Sequence, residues 1–260
     1  MRLIRLTAAS ILFVAGCAST PPPPSLNHDQ ATSIRKIAVV SIAADQLTYK
    51  HVGFTVFQNT ETKEDIHMWQ LDTTFAGKIA NAIGATLSAE VILPNVDMAL
   101  LSPVYDLNGP YDAPAFRTPN WNKVAAALRD IATQNNVDAI VVLLRTEFKD
   151  DIRRTNQNLK GLGIYSRFST RAAYAYMTLY VIDANTGRPR AGTPVSEGYT
   201  FVGIFRHLDL PHIELPEALS DKLVSNMTPA ESEQLKSIFL GLIDDGVSRA
   251  TVRRLFGQDQ

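Results

Sequence analysis

Hydrophobic residues recur along the chain with two spacings, and these predict alternating strands and helices. Compact apolar runs rich in β-branched residues predict buried strands over 36–42 and 137–144. Apolar residues at every third or fourth position predict one helix from Leu71, a second from Thr118, and a helical C-terminal region. Because a helix followed at once by a buried strand is typical of α/β proteins, we expect that class. The predicted architecture is a mixed sheet with helices packed on it, an α/β sandwich, plus C-terminal helices.

The weaker patterns predict the remaining elements. Alternation predicts a strand over 52–57, a short apolar run predicts one over 90–93, and a long strand covers 173–182. Tyr174, Tyr176 and Tyr180 share one face of that strand, either as sheet packing or as an exposed interface. A turn at 183–187 predicts a hairpin that returns over 193–203. C-terminal helices are expected over 215–227 and from Thr228, which opens a capping box.

Two segments lack a clear period. Residues 94–119 contain several prolines and predict a long loop, which in a compact domain is often functional. Residues 148–160 are polar and charged, and 161–170 could form a strand or a loop. Within this second segment, 149–154 predicts a solvated turn, with a partner-contact surface as the alternative. These two segments are where contacts with a partner are expected.

The first residues have the three parts of a secretory signal. Two arginines precede an apolar stretch over 6–14, and Val14-Ala15-Gly16-Cys17 follows. This ending resembles the lipobox of bacterial lipoproteins, which implies cleavage before Cys17 and a lipid on its thiol. We therefore predict a signal peptide over 1–16, a lipidated Cys17 with a proline-rich spacer over 17–34, and a periplasmic domain over 35–260. Ala18 and Ser19 follow the cysteine, and by the same resemblance this favours the outer membrane.

Composition narrows the class of partner. The net charge of -1 gives no support to nucleic-acid binding, which usually shows a basic stripe. Hydrophobic content of 45% and charged content of 20% are ordinary for a globular domain. No segment after the signal approaches 18 uninterrupted apolar residues, so no membrane-spanning helix is expected. The membrane is expected to be a partner only through the lipid.

No motif in the domain predicts catalysis or a cofactor. His207, His212 and Glu214 offer zinc-ligand types, but the intervening proline and the spacing favour a solvated loop. Gly161 and Gly163 lack the third glycine of a dinucleotide-binding fingerprint, and no Gly-x-Ser-x-Gly elbow occurs. We therefore expect no enzyme activity, no metal and no cofactor, and the sequence identifies no ligand-binding residue. Cys17 is the one functional residue predicted.

The order of elements resembles the curli-secretion lipoprotein family. The resemblance is carried by the buried strand at 137–144 and by the long strand that ends in the turn at 179–187. It implies an α/β sandwich and a role in envelope assembly or export, sometimes as an oligomer. Subunits of that family contribute two long amphipathic hairpins to a shared pore, whereas one hairpin, 173–203, is predicted here.

The functional prediction combines the anchor with the absence of a catalytic motif. We expect a lipid-anchored envelope protein on the periplasmic face of the outer membrane, a non-catalytic assembly or accessory factor that binds a protein partner. The alternative is an oligomeric outer-membrane secretion pore subunit of the curli type, formed by self-association. A hydrolase with an unrecognised site is a third possibility.

Overall fold

A computed structural model describes residues 25–106, 118–196, 198–202, 205–247 and 249–258, and its mixed sheet with packed helices confirms the α/β class. The strands are β1 Lys36–Ser41, β2 Gln46–His51, β3 Thr60–Asp65, β4 Glu90–Ile92, β5 Ala139–Arg145, β6 Glu147–Lys149, β7 Asn158–Arg167, β8 Thr170–Asp183, β9 Pro189–Pro194, β10 Gly198–Val202, β11 Phe205–Asp209 and β12 His212–Glu214. The helices are α1 His28–Ser33, α2 Leu71–Gly84, α3 Trp121–Asn135, α4 Glu217–Ser220, α5 Pro229–Gly246 and α6 Arg249–Leu255.

The long strand β8 joins two halves of the main sheet, whose order is β3-β2-β7-β8-β5-β1-β4. Its first part, 170–176, pairs with β7 and β12, and its second part, 177–183, pairs with β5 and β9. We call β4, β1, β5, β9 and residues 177–183 the closed half. The open half consists of β3, β2, β7, β12 and residues 170–176. Among these pairs, β1 lies parallel to β4 and β5, and β2 lies parallel to β7.

One face of the sheet is covered by helices in both halves. Phe75, Ile79 and Ile83 recur every four residues of α2 and are fully buried against this face. The helix α5 starts with the predicted capping box, in which Thr228 and Glu231 each accept a hydrogen bond from the other's backbone N–H. The same core extends over both halves, since Leu47, Leu162, Ala173, Leu179, Val181, Phe239, Ile243 and Leu255 all belong to it.

The opposite face is covered unevenly. In the closed half, α3 and the segment 98–105 bury it, and Tyr180 packs edge-on against Trp121 with ring centroids 4.9 Å apart. In the open half, Tyr174 and Tyr176 lie under a small apolar cluster that includes Leu159 and Leu210. The predicted tyrosine row is therefore core packing, because these side chains are 9% exposed or less. Over β2 and β3 the described residues give the same face no apolar cover, and it forms the cavity described below.

Three predicted elements are wrong in position. The strand expected at 52–57 lies earlier, at β2, while residues 56–58 form a 3₁₀ turn with exposed side chains. The hairpin β8–β9 exists, but its return strand is Pro189–Pro194, and Gly198–Val202 pairs with β11 instead. The helix expected over 215–227 is reduced to α4 and a 3₁₀ turn. The helix α2 begins at Leu71 as predicted, after Gln70, which is in a left-handed conformation and forms no side-chain cap.

The folded part begins before residue 35. Asn27 caps α1 by accepting a hydrogen bond from the backbone of Gln30, and Leu26, Ala31 and Ile34 are buried. The backbone N–H of Leu26 donates to the carbonyl of Leu255 at 3.1 Å, which ties this segment to α6. Residues 25–34 are thus packed against the core rather than part of an extended spacer. The predicted signal peptide and Cys17 lie outside the described residues.

Candidate functional site

A polar cavity of about 600 Å³ lies over the uncovered face of the open half. Strand alternation builds its floor, because Gln46, Thr48 and Lys50 of β2 face the cavity while Leu47 and Tyr49 turn toward the helices. Glu61, Lys63, Gly161 and Tyr174 continue the floor, and Tyr105, Arg145, Glu147, Asn156, Gln157, Asn158 and Lys160 complete the lining. Polar groups therefore make up most of the lining.

The charges in this cavity are unevenly paired. Glu61 accepts from Lys50 at 2.9 Å and lies 3.4 Å from the Lys63 ammonium. Glu147 accepts a hydrogen bond from the Asn158 amide at 2.6 Å. Lys160 has no carboxylate within ion-pair distance among the described residues. Burial first, then the Arg145 guanidinium, lowers the pKa of Lys160 below its usual range.

Tyr174 places a buried hydroxyl at the floor of the cavity. Its cross-strand partner is Gly163, where an added Cβ would lie 2.2 Å from the Tyr174 hydroxyl oxygen and 2.6 Å from the carbonyl oxygen of Thr48. The Tyr174 ring therefore explains why residue 163 is a glycine, and no phosphate-binding loop is needed to explain it. The Tyr174 hydroxyl has no hydrogen-bond partner among the described residues, although the backbone of Lys160 approaches it. Burial raises the pKa of Tyr174, so the hydroxyl stays neutral.

Tyr105 and Arg145 form the wall next to the closed half. The Tyr105 hydroxyl donates to the carbonyl of Ile42 at 2.6 Å and accepts from the backbone N–H of Arg145 at 3.1 Å. The Arg145 guanidinium lies 3.9 Å from the centre of the Tyr105 ring and forms an ion pair with Asp45. The predicted loop at 94–119 thus contributes a cavity wall through its residues 94–106, and residues 107–117 lie outside the described part.

A second surface lies where β2 and β7 end. We call the exposed side chains Phe54, Val56, Phe57 and Phe168 the aromatic tip, and they are 82%, 64%, 94% and 64% exposed. The loop after β2 and the turn after β7 are neighbours because the two strands are parallel, and the N–H of Val52 donates to Ser166 at 2.9 Å. Large apolar side chains this exposed, and grouped, are typical of an interaction surface.

The predicted turn at 149–154 lies beside this tip and is not fully solvated. Asp150 is buried and accepts hydrogen bonds from the backbone of Ile152 and Arg153 and from both the backbone and hydroxyl of Thr155. Arg153 and Arg154 are exposed, and Arg153 donates to the Thr170 hydroxyl next to the tip. The aromatic tip therefore has a basic rim.

Of the histidine candidates, the structure describes the side chain of His212 and the backbone alone of His207. His212 and Glu214 are exposed on β12, where the His212 ring lies 2.9 Å from the carbonyl oxygen of Leu210. The backbone of His207 lies on β11 opposite Thr200. Across the described ranges, no group of three or more His, Cys, Asp or Glu could hold a metal ion.

Two polar pairs resemble parts of catalytic sites without completing one. The His51 ring lies 2.9 Å from the Ser166 hydroxyl, but no described carboxylate hydrogen-bonds to His51, which is exposed. The Ser41 hydroxyl donates to Asp72 at 2.5 Å, and Asp72 also accepts from the backbone of Ala43 at 2.8 Å. Burial raises the pKa of Asp72 against these hydrogen bonds, and the contacts tie the end of β1 to α2.

The cavity residues were missed in the sequence because β2 was placed too late. Gln46-Leu47-Thr48-Tyr49-Lys50 alternates polar and apolar positions, which is the pattern of a half-buried strand. Lys63 and Glu61 lie on β3, a strand with no buried residue and therefore no apolar signal. The long-range approach of β5 and β7 to this face has no local signature in the sequence.

Comparisons with known proteins return structures alone. No family model and no curated protein matches the chain. A PelC dodecamer from Paraburkholderia phytofirmans is 11% identical, with a TM-score of 0.26 over 88% of this chain and 94% of its own. Protein XCC0632 from Xanthomonas campestris is 8% identical, with a TM-score of 0.35 over 92% and 94%. Lipoprotein GNA1162 from Neisseria meningitidis is 10% identical, with a TM-score of 0.29 over 80% and 97%. Likenesses this weak carry no argument about function.

Proposed function

We propose that this protein is a lipid-anchored, non-catalytic component of the bacterial cell envelope that binds a protein partner through the aromatic tip. The observation that carries the proposal is the position of that tip, at the end of the sheet opposite to the start of β1. The lipid on Cys17 and the location on the periplasmic face of the outer membrane are parts of this proposal. They are supported by the lipobox-like sequence described above.

Strand registers support the opposite placement. Ile37 near the start of β1 pairs with Ala139, which pairs with Asp183 at the end of β8. The aromatic tip lies at the other end of β8, beside Thr170, and a strand of 14 residues spans about 45 Å. Only residues 18–25 separate Cys17 from the packed Leu26, a reach of about 27 Å at full extension. Since the tether enters the domain at Leu26, before α1 and β1, we infer that the aromatic tip points away from the membrane and toward the periplasm.

The chemistry of the tip indicates the kind of partner. Phe54 and Phe57 can fill apolar pockets, while Arg153 and Arg154 at the rim favour carboxylates around them. We therefore infer a protein with an apolar groove bordered by acidic residues. Anchoring raises the local concentration of the domain near such a partner, which compensates for a small contact area.

The test uses the full-length protein expressed in its own envelope. A Cys17→Ala variant should move to the soluble fraction, because the thiol that carries the lipid is gone. A Phe54→Ser/Phe57→Ser variant should stay with the membrane but lose a crosslink formed at the tip to one defined partner. Leu100→Ser is the matched control, since Leu100 is 56% exposed on a different part of the molecule.

The results separate the two parts of the proposal. Membrane association of the Cys17→Ala variant would refute the lipid anchor. Equal crosslinking by the tip variant and by Leu100→Ser would refute partner binding at the tip while leaving the anchor standing. A crosslink between two copies of this chain would show that the tip mediates self-association and does not bind a different protein.

A further inference from the structure

We propose that the polar cavity over β2 and β3 is a binding site for a small, hydroxyl-rich acid, with Lys160 receiving the carboxylate or phosphate group. This inference concerns a different surface from the aromatic tip, and it does not depend on the lipid anchor.

The charge distribution selects an anion. Four basic side chains and two acidic ones line the cavity, and both acids are already engaged, Glu61 by Lys50 and Lys63, and Glu147 by Asn158. Lys160 therefore presents the ammonium that lacks a counter-charge within ion-pair distance. The Lys160 ammonium lies 5.6 Å from the centre of the Tyr105 ring but has no counter-charge within ion-pair distance among the described residues, and an anion would offset the penalty that burial places on its charged form. An acid group beside Lys160 supplies that missing charge.

The Tyr174 hydroxyl is a second, independent indication of a ligand. It is fully buried in the floor of the cavity and forms no hydrogen bond within the described protein. Buried polar groups nearly always have a partner, so this hydroxyl needs an explanation. The Tyr174 ring lies over Gly163, which has no side chain, and a ligand oxygen in the cavity next to the ring would supply the missing partner.

The remaining lining sets the chemical class. Thr48, Gln46, Asn156 and Gln157 offer hydroxyl and amide groups around the cavity rather than apolar surface. Amides and hydroxyls both donate and accept, which suits sugar hydroxyls better than an alkyl or aromatic ligand. A volume of about 600 Å³ is within the range of small-molecule sites. A sugar acid or a sugar phosphate shares all of these features.

The experiment is titration calorimetry of the full-length protein in neutral detergent at low salt. The probes are glucuronate, glucose 6-phosphate, inorganic phosphate and glucose. We expect the two acidic sugars to bind more tightly than inorganic phosphate, and glucose to give no measurable binding. Preference for glucuronate or for glucose 6-phosphate would identify a carboxylate or a phosphate as the natural group.

Two variants test the residues. Lys160→Gln should weaken binding about tenfold or more, as expected for loss of a charge-assisted hydrogen bond. Lys236→Gln, on α5 at the opposite face of the sheet, is the matched control and should bind as the natural chain does. Tyr174→Phe should weaken binding about three- to tenfold and at the same time raise the melting temperature by about 2 °C, because it removes an unpartnered buried hydroxyl.

Three outcomes would overturn the inference. Absence of binding of both acidic sugars to the natural chain would remove the site. Equal losses from Lys160→Gln and Lys236→Gln would show a nonspecific charge effect. Unchanged affinity of a folded Tyr174→Phe variant would show that the hydroxyl does not reach the ligand and would reject the assignment of the cavity floor.

Discussion

The closed and open halves share β8 but differ on one face of the sheet. Helix α3 covers this face in the closed half, whereas a polar cavity lies over it in the open half. Residues 177–183 are all buried, and β5 beside them is buried from Ala139 to Leu144. In the open half, β2 buries Leu47 toward the helices while Lys50 on its other face lines the polar cavity. The difference arises because α3 covers this face in the closed half, whereas no helix among the described residues covers this face of β2 and β3. On this face, burial therefore adds more stability in the closed half, while the open half leaves space for a ligand.

The largest expected effect tests where that stability lies. Ile182 is fully buried in the closed half against the face that α3 covers, so Ile182→Ala should lower the free energy of unfolding by about 2–5 kcal/mol, through lost burial and a cavity. Thr48→Ala in the open half should cost less than about 1 kcal/mol, because Thr48 lines the cavity and its hydroxyl takes part in no hydrogen bond among the described residues. Urea unfolding of both variants measures the contrast. Equal losses would mean that both halves contribute alike.

How far the sequence predicts the molecule follows the same division. The closed half was predicted well, because β5 is a continuous apolar run and α5 has a local capping box. Their signals lie within a few neighbouring residues. The α/β class and the hairpin from β8 follow from such signals, although the return strand was placed too late.

The open half was predicted poorly for a physical reason. The strand β3 is held by its register with β2 and has no buried residue, so periodicity cannot reveal it. The exposed Phe54 and Phe57 were interpreted as a strand because apolar alternation usually indicates burial. The cavity depends on Lys160 and Tyr174 meeting across β7 and β8, and only the three-dimensional pairing brings them together.

The second prediction concerns the turn that covers the tyrosines of the open half. Asp150 accepts four hydrogen bonds from its own turn and a fifth from the Tyr165 hydroxyl at 3.1 Å. Asp150→Ala should therefore lower the free energy of unfolding by about 2–3 kcal/mol, since buried donors lose a charged acceptor. Asp151→Ala is the neighbouring control, expected to change it by less than about 0.5 kcal/mol.

Tyr165 offers a direct readout of the same contact. Burial and then the Asp150 carboxylate raise the pKa of Tyr165 to about 12. The phenol of Tyr165 should ionise at lower pH in Asp150→Ala, as measured by the absorbance of tyrosinate. The prediction is contradicted if Asp150→Ala and Asp151→Ala have the same free energy of unfolding and the titration of Tyr165 is unchanged. The turn would then not stabilise the apolar cluster around Tyr174 and Tyr176.

The third prediction sharpens the comparison at the floor of the cavity. Gly163→Ala would place a Cβ 2.6 Å from the carbonyl oxygen of Thr48, a backbone atom that cannot rotate away. We expect a loss of about 1–3 kcal/mol in the free energy of unfolding. Gly241→Ala in α5 has nothing within 4 Å and should instead stabilise by about 0.5–1 kcal/mol, because alanine favours the helix. Thermal unfolding of the pair should thus give shifts of opposite sign, and shifts of the same sign would contradict the close packing at Gly163.

The smallest expected effect lies at the outer edge of the open half and depends on pH. Glu64 accepts from the backbone N–H of Val224 at 2.6 Å and from the Ser225 hydroxyl at 2.6 Å. Burial alone would raise its pKa, but hydrogen bonds from Ser225, Tyr49 and Val224 outweigh burial and hold the pKa of Glu64 below its ordinary value of 4.5.

The direction of this shift fixes the pH window. A carboxyl whose pKa is lower in the folded state adds stability above its unfolded pKa of 4.5, and that stability is lost as the pH falls through the lowered folded value. Glu64→Gln should therefore lower the melting temperature at neutral pH by an amount equivalent to less than about 1 kcal/mol, since solvent screens the site. The difference from the natural chain should shrink as the pH is lowered below 4.5. A difference that is constant across this range would mean that β3 is held by its register with β2 alone. In that case the edge of the open half would owe nothing to its contact with residues 224–225.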